Sequence, residues 1–391
     1  MYKTDLEGLG ILERHMKKLL LATVVSALTI NAVQAAPTVY GKLHVSIDNV
    51  DKFGATRSDT DNVWEINSNN SRIGVKGEEI LTDNLKAVYL AEWQINTDGD
   101  GTDLGQRNRF VGLKYDRIGT VKVGKFDSYL KTAQGKVDIF NDMNYLDITR
   151  IMAGENRPNN VIGFESDTKA LNGFGINLML QQGENNKLDP NSNDVSKNLG
   201  DAISASLTYE NKDMGVFAAL AGDKNVVSTF NAVSAKAEAD VIRLVGSLNL
   251  GAMANVAGLT LNGMYQNAEP TNLSAAATAP GIPGIPATGT TPAIPAVAAG
   301  VFRNFDKENS FLVSAAYAIG ETPWAVKAQY HQSTTSFDGG RDDVELSQIG
   351  GMVDYMFNSK TRAYGYLAQQ SDDRNNVEDR MYAGVGMEFN F

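Results

Sequence analysis

The chain lacks cysteine entirely and contains only three histidines. Without cysteine there is no disulfide scaffold, no thiol enzyme and no zinc or iron–sulfur site built on thiolates. Positive charge is also in the minority, with 35 Lys and Arg against 46 Asp and Glu and a net charge of -11. This balance argues against nucleic acid as a partner, because phosphate-binding surfaces carry clustered positive charge.

Long apolar runs are missing as well. The run from Leu19 to Ile30 follows Lys17 and Lys18 and is too short to span a bilayer, which needs about 20 apolar residues. With small residues ending at Ala35, residues 16–35 are predicted to be a cleaved signal peptide.

The segment before the predicted signal peptide, residues 1–15, is acidic and unlike a secretory leader, so we expect it to be a wrongly assigned N-terminal extension. The predicted mature chain, residues 36–391, keeps 31 basic and 43 acidic residues, a net charge of 31 minus 43, or -12. An exported, acidic chain without cysteine fits the envelope of a Gram-negative bacterium.

Alternation of apolar and polar residues runs through the predicted mature chain. Leu85, Tyr89 and Trp93 share one face of a segment whose other face carries Lys86 and Glu92. This period of two is typical of a strand with one apolar and one wet face. It recurs to both ends of the chain, including residues 39–48, 324–331 and 381–391.

The links between the alternating segments are short and long in turn. Long polar links are predicted at about 51–63, 97–106, 128–157, 183–199, 222–236, 268–307, 334–343 and 371–380. Seven short and eight long links join 16 strands, which predicts an all-β fold: a 16-stranded antiparallel transmembrane β-barrel with long external loops. A soluble β-sandwich or propeller is the alternative, but no blade-length repeat is present.

One of these links, residues 268–307, is rich in proline and alanine. It contains the run PGIPGIPATGTTPAIPA. We expect a semi-rigid external loop of polyproline character, because strand-like segments resume after it.

Five motifs give the chain a family resemblance. They are VYGK at 39–42, SRIGVKGE at 71–78, RNRFVGLKY at 107–115, NRPNN at 156–160 and MEFNF at 387–391. In this order they resemble the general diffusion porins of Gram-negative outer membranes. The resemblance implies a trimeric barrel of 16 strands whose third external loop folds inward to narrow the pore.

The third long link, residues 128–157, matches that inward loop. Its length points to a functional segment, and its apolar residues require packing. The resemblance makes it the constriction loop. We expect Asp138 and Asp142 on its acidic side, with Asp147 as a third candidate that could instead cap a short helix.

The resemblance puts basic residues on the wall opposite this loop, at Lys42, Arg72, Arg107 and Arg157. Alternation independently turns Lys42 and Arg72 toward the lumen. Arg107 has the parity of the lipid-facing side chains, so its inward placement requires a bulge or a position above the hydrocarbon band, and Arg109 is its competitor. Opposed rows of charge would create a transverse field favouring polar solutes.

The predicted function is passive diffusion of ions and small hydrophilic solutes through a water-filled pore, with no cofactor and no metal. Two alternatives remain open, an outer-membrane barrel hydrolase and a substrate-specific channel. A hydrolase built on histidine would need His44 or His331, and His44 shares a face with Ser46 at about 7 Å, too far for direct proton transfer. The acidic run at 98–103 departs from a calcium loop and is interpreted as a surface loop.

The resemblance also implies partners. They are two further copies of the chain in a homotrimer, outer-membrane lipid and lipopolysaccharide, and the outer-membrane assembly machinery that recognises a terminal strand ending in Phe391. No nucleic acid partner is expected.

Overall fold

The computed structural model describes residues 36–53, 59–101, 104–188, 195–254, 256–271, 305–338, 342–374 and 377–391. The predicted extension at 1–15, the predicted signal peptide at 16–35 and most of the proline-rich link lie outside these residues. No helix in the described ranges is long and apolar enough to cross a bilayer.

Within the described residues the chain forms seventeen strands joined in one antiparallel sheet. Apart from the second and third strands, which both pair with the first, each strand pairs with its neighbours in the sequence. The last strand pairs with the first from Lys42↔Asn390 to Val50↔Tyr382, which closes the ring. The strands are β1 Thr38–Phe53, β2 Asp59–Ser68, β3 Arg72–Thr82, β4 Leu85–Gln94, β5 Gly105–Tyr115, β6 Gly119–Lys125, β7 Val161–Ser166, β8 Phe174–Gln181, β9 Ala202–Asn211, β10 Val216–Phe230, β11 Ala235–Asn249, β12 Leu259–Pro270, β13 Phe305–Ala318, β14 Trp324–Phe337, β15 Val344–Asn358, β16 Thr361–Asp372 and β17 Arg380–Asn390.

Strands β2 and β3 are two halves of one barrel strand, so the ring has sixteen positions. Both halves pair with β1: β3 up to Lys42↔Arg72, and β2 from Val45↔Ser68 onward. Between these two pairs β1 has two residues, 43 and 44, whereas the partner strand has three, 69–71. The break in the partner strand therefore contains one extra residue. The predicted 16-stranded antiparallel barrel is confirmed.

The two faces of the strands have opposite chemistry. On β1, Leu43 and Ile47 are exposed on the outer surface, whereas Lys42, His44 and Asp48 are buried inside the ring. The apolar side chains outside face lipid, and the polar ones inside pack against each other and against a loop. This arrangement agrees with the alternation seen in the sequence.

Three of the predicted long links are clearly shorter than the sequence suggests. β1 extends to Phe53 and β2 begins at Asp59. β10 ends at Phe230 and β11 begins at Ala235, which leaves residues 231–234 as the connection, and β14 extends to Phe337. The prediction of long loops at 51–63, 222–236 and 334–343 was therefore wrong in extent. Polar residues such as Asp223 and Ser333 belong to strands that face the interior, so their polarity does not mark a loop.

The segment 128–157 lies against inward-facing side chains of the wall. It contains a short helix, Tyr129–Thr132, and a 3-10 turn, Ile148–Arg150. Its apolar side chains form two large clusters with the wall, one beside β10 to β15 and one beside β1 and β15 to β17. The members that the loop contributes to these clusters are Leu130, Ala133, Val137, Phe140, Met143, Leu146, Ile148, Ile151, Met152 and Ala153.

Candidate pore constriction

The tip of the loop makes direct ion pairs with the barrel wall. Asp142 Oδ2 lies 2.5 Å from Lys42 Nζ on β1 and 2.9 Å from Arg72 Nη1 on β3. Asp142 has a positive φ of 70°, and its backbone N–H donates to Asp147 Oδ2 at 2.8 Å, which holds the backbone at the tip of the loop. Three of the predicted constriction residues are thus brought together.

Electrostatics favours the ionised form of Asp142. Burial alone would raise the pKa of this carboxyl, but Arg72 and Lys42 outweigh burial and hold its pKa well below the usual range. Because Lys42 and Arg72 belong to adjoining strands, a single carboxylate joins two parts of the wall to the loop.

Arg107 also points inward, because a bulge reverses its parity. In the pairing of β4 with β5, Ala91 faces Arg109 and Trp93 faces Gln106, so Glu92 alone lies opposite Arg107 and the residue after it. Arg107 Nε donates to Glu92 Oε1 at 2.6 Å. A bulge was one of the two conditions under which the sequence analysis allowed Arg107 to face the lumen.

Glu92 is a member of this charged group that sequence reasoning did not select. Its other oxygen accepts a hydrogen bond from Tyr40 Oη at 2.9 Å and lies 3.7 Å from Arg72 Nε. Alternation placed Glu92 on the polar face of its strand. Its position between Arg72 and Arg107 depends on the pairing register at the bulge, which alternation alone does not give.

A second chain of ion pairs continues along the wall on four consecutive strands, β14 to β17. Lys327 Nζ lies 2.6 Å from Asp354 Oδ2, and Arg362 joins Asp354 and Glu388 at 2.9 Å each. Taken with the first group, five cations (Lys42, Arg72, Arg107, Lys327, Arg362) alternate with four carboxylates (Glu92, Asp142, Asp354, Glu388).

The expectation that two rows of opposite charge face each other across water does not hold for this group. The loop carboxylate and the wall cations touch, so most of the charge is neutralised locally, and five minus four leaves one net positive charge.

Asp138 lies away from these cations, and its predicted place on the open acidic side is wrong. Its Oδ1 accepts a hydrogen bond from Gln329 Nε2 at 2.9 Å, and its Oδ2 accepts one from the backbone of Ile148 at 3.4 Å. Burial, and after it the neighbouring Asp147, raises the pKa of Asp138 well above its ordinary value. Asp138 therefore fastens the loop to β14.

Asp147 caps a short helical turn, which is the alternative role that the sequence analysis left open for it. Its Oδ1 accepts the backbone N–H of Thr149 at 2.9 Å and so caps the 3-10 turn that follows.

Arg157 pairs with a different carboxylate from the one predicted. Its Nε lies 3.0 Å from Asp127 Oδ1 and donates to Asn108 Oδ1 at 2.6 Å. Lys131 approaches the same carboxylate at 3.3 Å. The prediction that Arg157 opposes Asp142 does not hold. The end of the loop returns to its start, where the Ser128 N–H donates to the backbone oxygen of Asn156 at 3.0 Å, and this brings Arg157 beside Asp127.

Neither imidazole ring in the described part of the chain is hydrogen-bonded to a serine hydroxyl. His44 Nε2 shares a hydrogen bond with Tyr364 Oη at 2.7 Å, while Ser46 donates to Asp48 at 2.6 Å. His331 Nδ1 lies 3.3 Å from Gln329 Nε2. The described residues also contain no cluster of three or more His, Asp or Glu side chains that could hold a metal ion.

A closed antiparallel ring with apolar side chains outside, ion pairs inside and a loop lying on its inner wall defines a transmembrane β-barrel of the channel-forming kind. The model of the Gram-negative porin family matches residues 20–375, and the chain belongs to that family. The protein is therefore located in the outer membrane.

Curated relatives match about half of the chain. The major outer membrane protein P.IB of Neisseria gonorrhoeae is 29% identical over 211 residues, which are 53% of this chain and 57% of that protein. The P.IB protein of Neisseria sicca is 30% identical over 215 residues, or 53% of this chain and 58% of that protein. The chain thus spans less than two thirds of the length of these relatives.

Solved structures share the fold over nearly the whole chain. An anion-selective porin from Comamonas acidovorans superposes with a TM-score of 0.63 at 17% identity, covering 91% of this chain and 99% of that one. OmpF of Salmonella typhi, in complex with daunomycin, superposes with a TM-score of 0.60 at 15% identity, covering 91% of this chain and 98% of that one.

Proposed function

We propose that the protein is a passive outer-membrane porin that lets ions and small hydrophilic solutes diffuse through a water-filled pore. The observation that carries this proposal is the contact of Asp142 with Lys42 and Arg72, which pins a loop inside a closed barrel. A loop held against the wall narrows the lumen without a conformational change, as a passive pore requires. Membership of the porin family supports the same function.

Planar-bilayer recording tests this proposal most directly. Purified protein is expected to insert as discrete steps of conductance that are ohmic at low voltage. Protein that is folded by far-UV circular dichroism but produces no such steps would remove the porin function.

We further propose that the constriction is formed by Lys42, Arg72, Arg107 and Asp142, with Glu92 in the same group, and that its selectivity between anions and cations is weak. The neutralisation of wall cations by adjacent carboxylates supports weak selectivity. A permeating ion meets the short-range dipoles of ion pairs rather than a row of charges of one sign. Arg157 and Asp127 would line the approach to this group from the loop side.

A homotrimer is proposed for the assembled protein. Family membership supports it, and a trimeric form is named for OmpT of Vibrio cholerae, whose structure superposes with a TM-score of 0.56 at 15% identity, covering 91% of this chain and all of that chain. A particle whose mass, corrected for detergent, equals one chain would contradict it.

The protein is proposed not to be an enzyme. An enzymatic barrel would need a nucleophile and a base in contact, and the described surroundings of His44 are Tyr364 and Glu388 instead. Hydrolysis of lipid or peptide by the purified protein that disappears in His44→Ala would favour the hydrolase alternative. A saturable, solute-dependent block of the current would favour a substrate-specific channel.

A further inference from the structure

A cavity of about 490 Å³ lies next to the proposed constriction, between the loop at 128–157 and the links at one end of the barrel. Asn70 lines it, and the Oδ1 atom of Asn70 accepts a hydrogen bond from Arg107 Nη1 at 3.2 Å, so the cavity adjoins the charged group of the constriction. The tight turns of such barrels face the periplasm, and the cavity is at the opposite end, on the cell-surface side. Its volume is typical of small-molecule sites, which measure about 300–1,000 Å³.

The connection between β10 and β11 forms one wall of this cavity. Asn231 Nδ2 donates to the backbone oxygen of Thr149 at 3.1 Å, and the backbone oxygen of Ala232 accepts from Arg374 Nη1 at 3.1 Å. The connection thereby joins the loop at 128–157 to the link that follows β16, although the four strands β12 to β15 separate β11 from β16 in the sheet. The cavity is therefore enclosed by three segments that are distant in the sequence and bonded to each other.

One cation in the cavity has no carboxylate in contact. Arg150, in the 3-10 turn of the loop, forms no ion pair with a described residue, and its buried Nε has no hydrogen-bond partner. Arg374 is engaged by Asp372, whose Oδ1 accepts from Arg374 Nε at 2.8 Å, and Asp147 accepts backbone N–H groups with both of its oxygens. The lining residues include three arginines and two aspartates, so three minus two leaves one net positive charge. This charge suits a solute with a single anionic group.

The side-chain amides in the same cavity offer both hydrogen-bond donors and an acceptor. Because a guanidinium can only donate, the oxygen of Asn70 faces Arg107, and the amide nitrogen of Asn70 is left to donate. Gln370 Oε1 accepts from Tyr382 Oη at 2.9 Å, which also leaves an amide nitrogen as a donor. Asn231 is oriented the other way, since its nitrogen donates to the loop backbone and its oxygen remains an acceptor.

This mixture of groups discriminates between classes of anion. A hydroxyl group both donates and accepts hydrogen bonds, so it can satisfy amide nitrogens and an amide oxygen alike. A phosphate or sulfate offers acceptor oxygens and would leave the Asn231 oxygen without a donor. A carboxylate matches the planar fork of a guanidinium, which Arg150 supplies.

We propose that this cavity binds a hydroxylated monocarboxylate of the size of a sugar acid. Arg150 binds the carboxylate, and the amides of Asn70, Gln370 and Asn231 bind the hydroxyl groups. The inference rests on the proposed pore function, because a solute held on the cell-surface side is enriched there before it diffuses through the constriction. The site adds a preference for one class of solute to a pore that other small solutes also cross.

Saturation-transfer difference NMR of the detergent-solubilised protein, titrated with gluconate, tests the proposal. Arg150→Gln removes the charge, and Arg150→Lys keeps a charge without the guanidinium fork. Lys136→Gln removes a charge from an exposed position in the same loop and is the matched control. Far-UV circular dichroism verifies that each variant is folded, and a comparison of solutes on the wild type needs no variant.

Arg150→Gln is expected to bind gluconate at least about tenfold more weakly than the wild type, since a hydrogen bond between charged groups contributes about this factor. Arg150→Lys is expected to bind with an affinity between the two, because an ammonium cannot form the bidentate contact. Lys136→Gln is expected to bind as the wild type does. Equal affinity of the wild type, Arg150→Gln and Lys136→Gln would overturn the proposal.

The choice of solute is tested on the wild type alone. Glucose, which lacks the carboxylate, and propionate, which lacks the hydroxyl groups, are each expected to bind at least about tenfold more weakly than gluconate. Glucose or propionate that binds as tightly as gluconate would overturn the proposal, and so would glucose 6-phosphate that binds more tightly, which would make the cavity a phosphate site.

Failure of this inference can be distinguished from failure of the pore function. Binding in detergent does not require conduction. Loss of the pore function would appear as missing conductance steps in potassium chloride, a measurement that contains no sugar acid.

Discussion

Asp142 is the residue on which the proposed constriction depends most. Its carboxylate contacts cations from two strands, Lys42 on β1 and Arg72 on β3. Among the described residues, the one other carboxylate in contact with either cation is that of Glu92, which lies 3.7 Å from Arg72 and is shared with Arg107. Removing the charge of Asp142 therefore leaves both cations largely unopposed.

Asp142→Asn is therefore expected to shift permeability toward anions. One unopposed unit charge changes the energy of an ion about 8 Å away by about 0.5 to 2 kcal/mol at effective dielectric constants between about 80 and 20. The permeability ratio should change by about two- to thirtyfold, read from reversal potentials under a salt gradient.

Asp138→Asn is the matched control for that measurement. Its carboxyl group touches Gln329 and backbone N–H groups rather than a cation, and asparagine keeps an acceptor for Gln329. Reversal potentials that move equally in both variants, or in Asp138→Asn alone, would contradict the assignment of Asp142 to the constriction.

The pH dependence of the same site has a defined sign. Because the pKa of Asp142 is lowered in the folded chain, its ion pairs contribute stability above the unfolded pKa of 3.8 and lose it only as the pH falls through the lower folded value. The difference in reversal potential between wild type and Asp142→Asn should therefore be the same at about pH 3 and at about pH 8. A difference that largely disappears at about pH 3, where an unpaired carboxyl with a pKa of 3.8 is mostly protonated, would show that the carboxylate is not held by Lys42 and Arg72.

At the scale of elements, the loop at 128–157 is held at both ends by one buried arginine. Arg243 on β11 donates to the backbone oxygens of Leu130 and Ala153 at 3.3 and 3.5 Å and pairs with Glu155 at 2.6 Å. Gln266 on β12 supports the guanidinium through two further hydrogen bonds. The two ends of the loop are thereby tied to the same point of the wall.

Arg243→Met is expected to loosen the loop without opening the barrel. Breaking a buried ion pair on one side costs about 3–5 kcal/mol, because the remaining carboxylate is left uncompensated. We expect faster proteolysis within 128–157 and a noisier open-channel current. Lys136→Met, an exposed position in the same loop, is the control, and equal protease sensitivity of the two variants would count against the clamp.

Sequence patterns predicted the strands better than the loop. On β1 and β4 the period of two fixed which side chains face inward, and lipid on one side enforces that period. Asp138 and Asp142 lie in a segment without a repeating period, so nothing in the sequence distinguished a carboxylate on the wall from one that fastens the loop. Arg157 was misassigned because its partner Asp127 stands outside the loop boundary that the sequence suggested.

The whole barrel closes at a seam between its two terminal strands. The backbones of Phe391 and Gly41 exchange hydrogen bonds at 3.1 and 3.2 Å, and the Phe391 ring lies over Gly41. A Cβ atom at position 41 would lie 2.3 Å from Phe391 Cζ and 2.8 Å from the backbone oxygen of Arg72, so a larger residue would displace both the ring and the neighbouring strand.

Deleting Phe391 is expected to lower the amount of protein inserted in the outer membrane more than it alters the conductance of inserted molecules. We base this on the recognition of the terminal strand by the assembly machinery, which the family resemblance implies, and on the seam contacts that the residue makes. Surface levels are measured by accessibility labelling of intact cells. Phe357→Ala removes an exposed aromatic side chain from the same end of the barrel and is the control. Normal surface levels of the deletion variant would refute the prediction.

The extra residue in the divided second barrel strand has a consequence for how such a chain can change over evolutionary time. On β2 the even-numbered Trp64 and Ile66 face outward, whereas on β3 the outward positions are the odd-numbered Ile73 and Val75, which pair with the outward face of β1. An insertion or deletion of one residue elsewhere in a strand would turn every later side chain to the wrong face. The break at residues 69–71 accommodates one extra residue without this effect, so a change of length there leaves the half of the strand that carries Arg72 in register with β1.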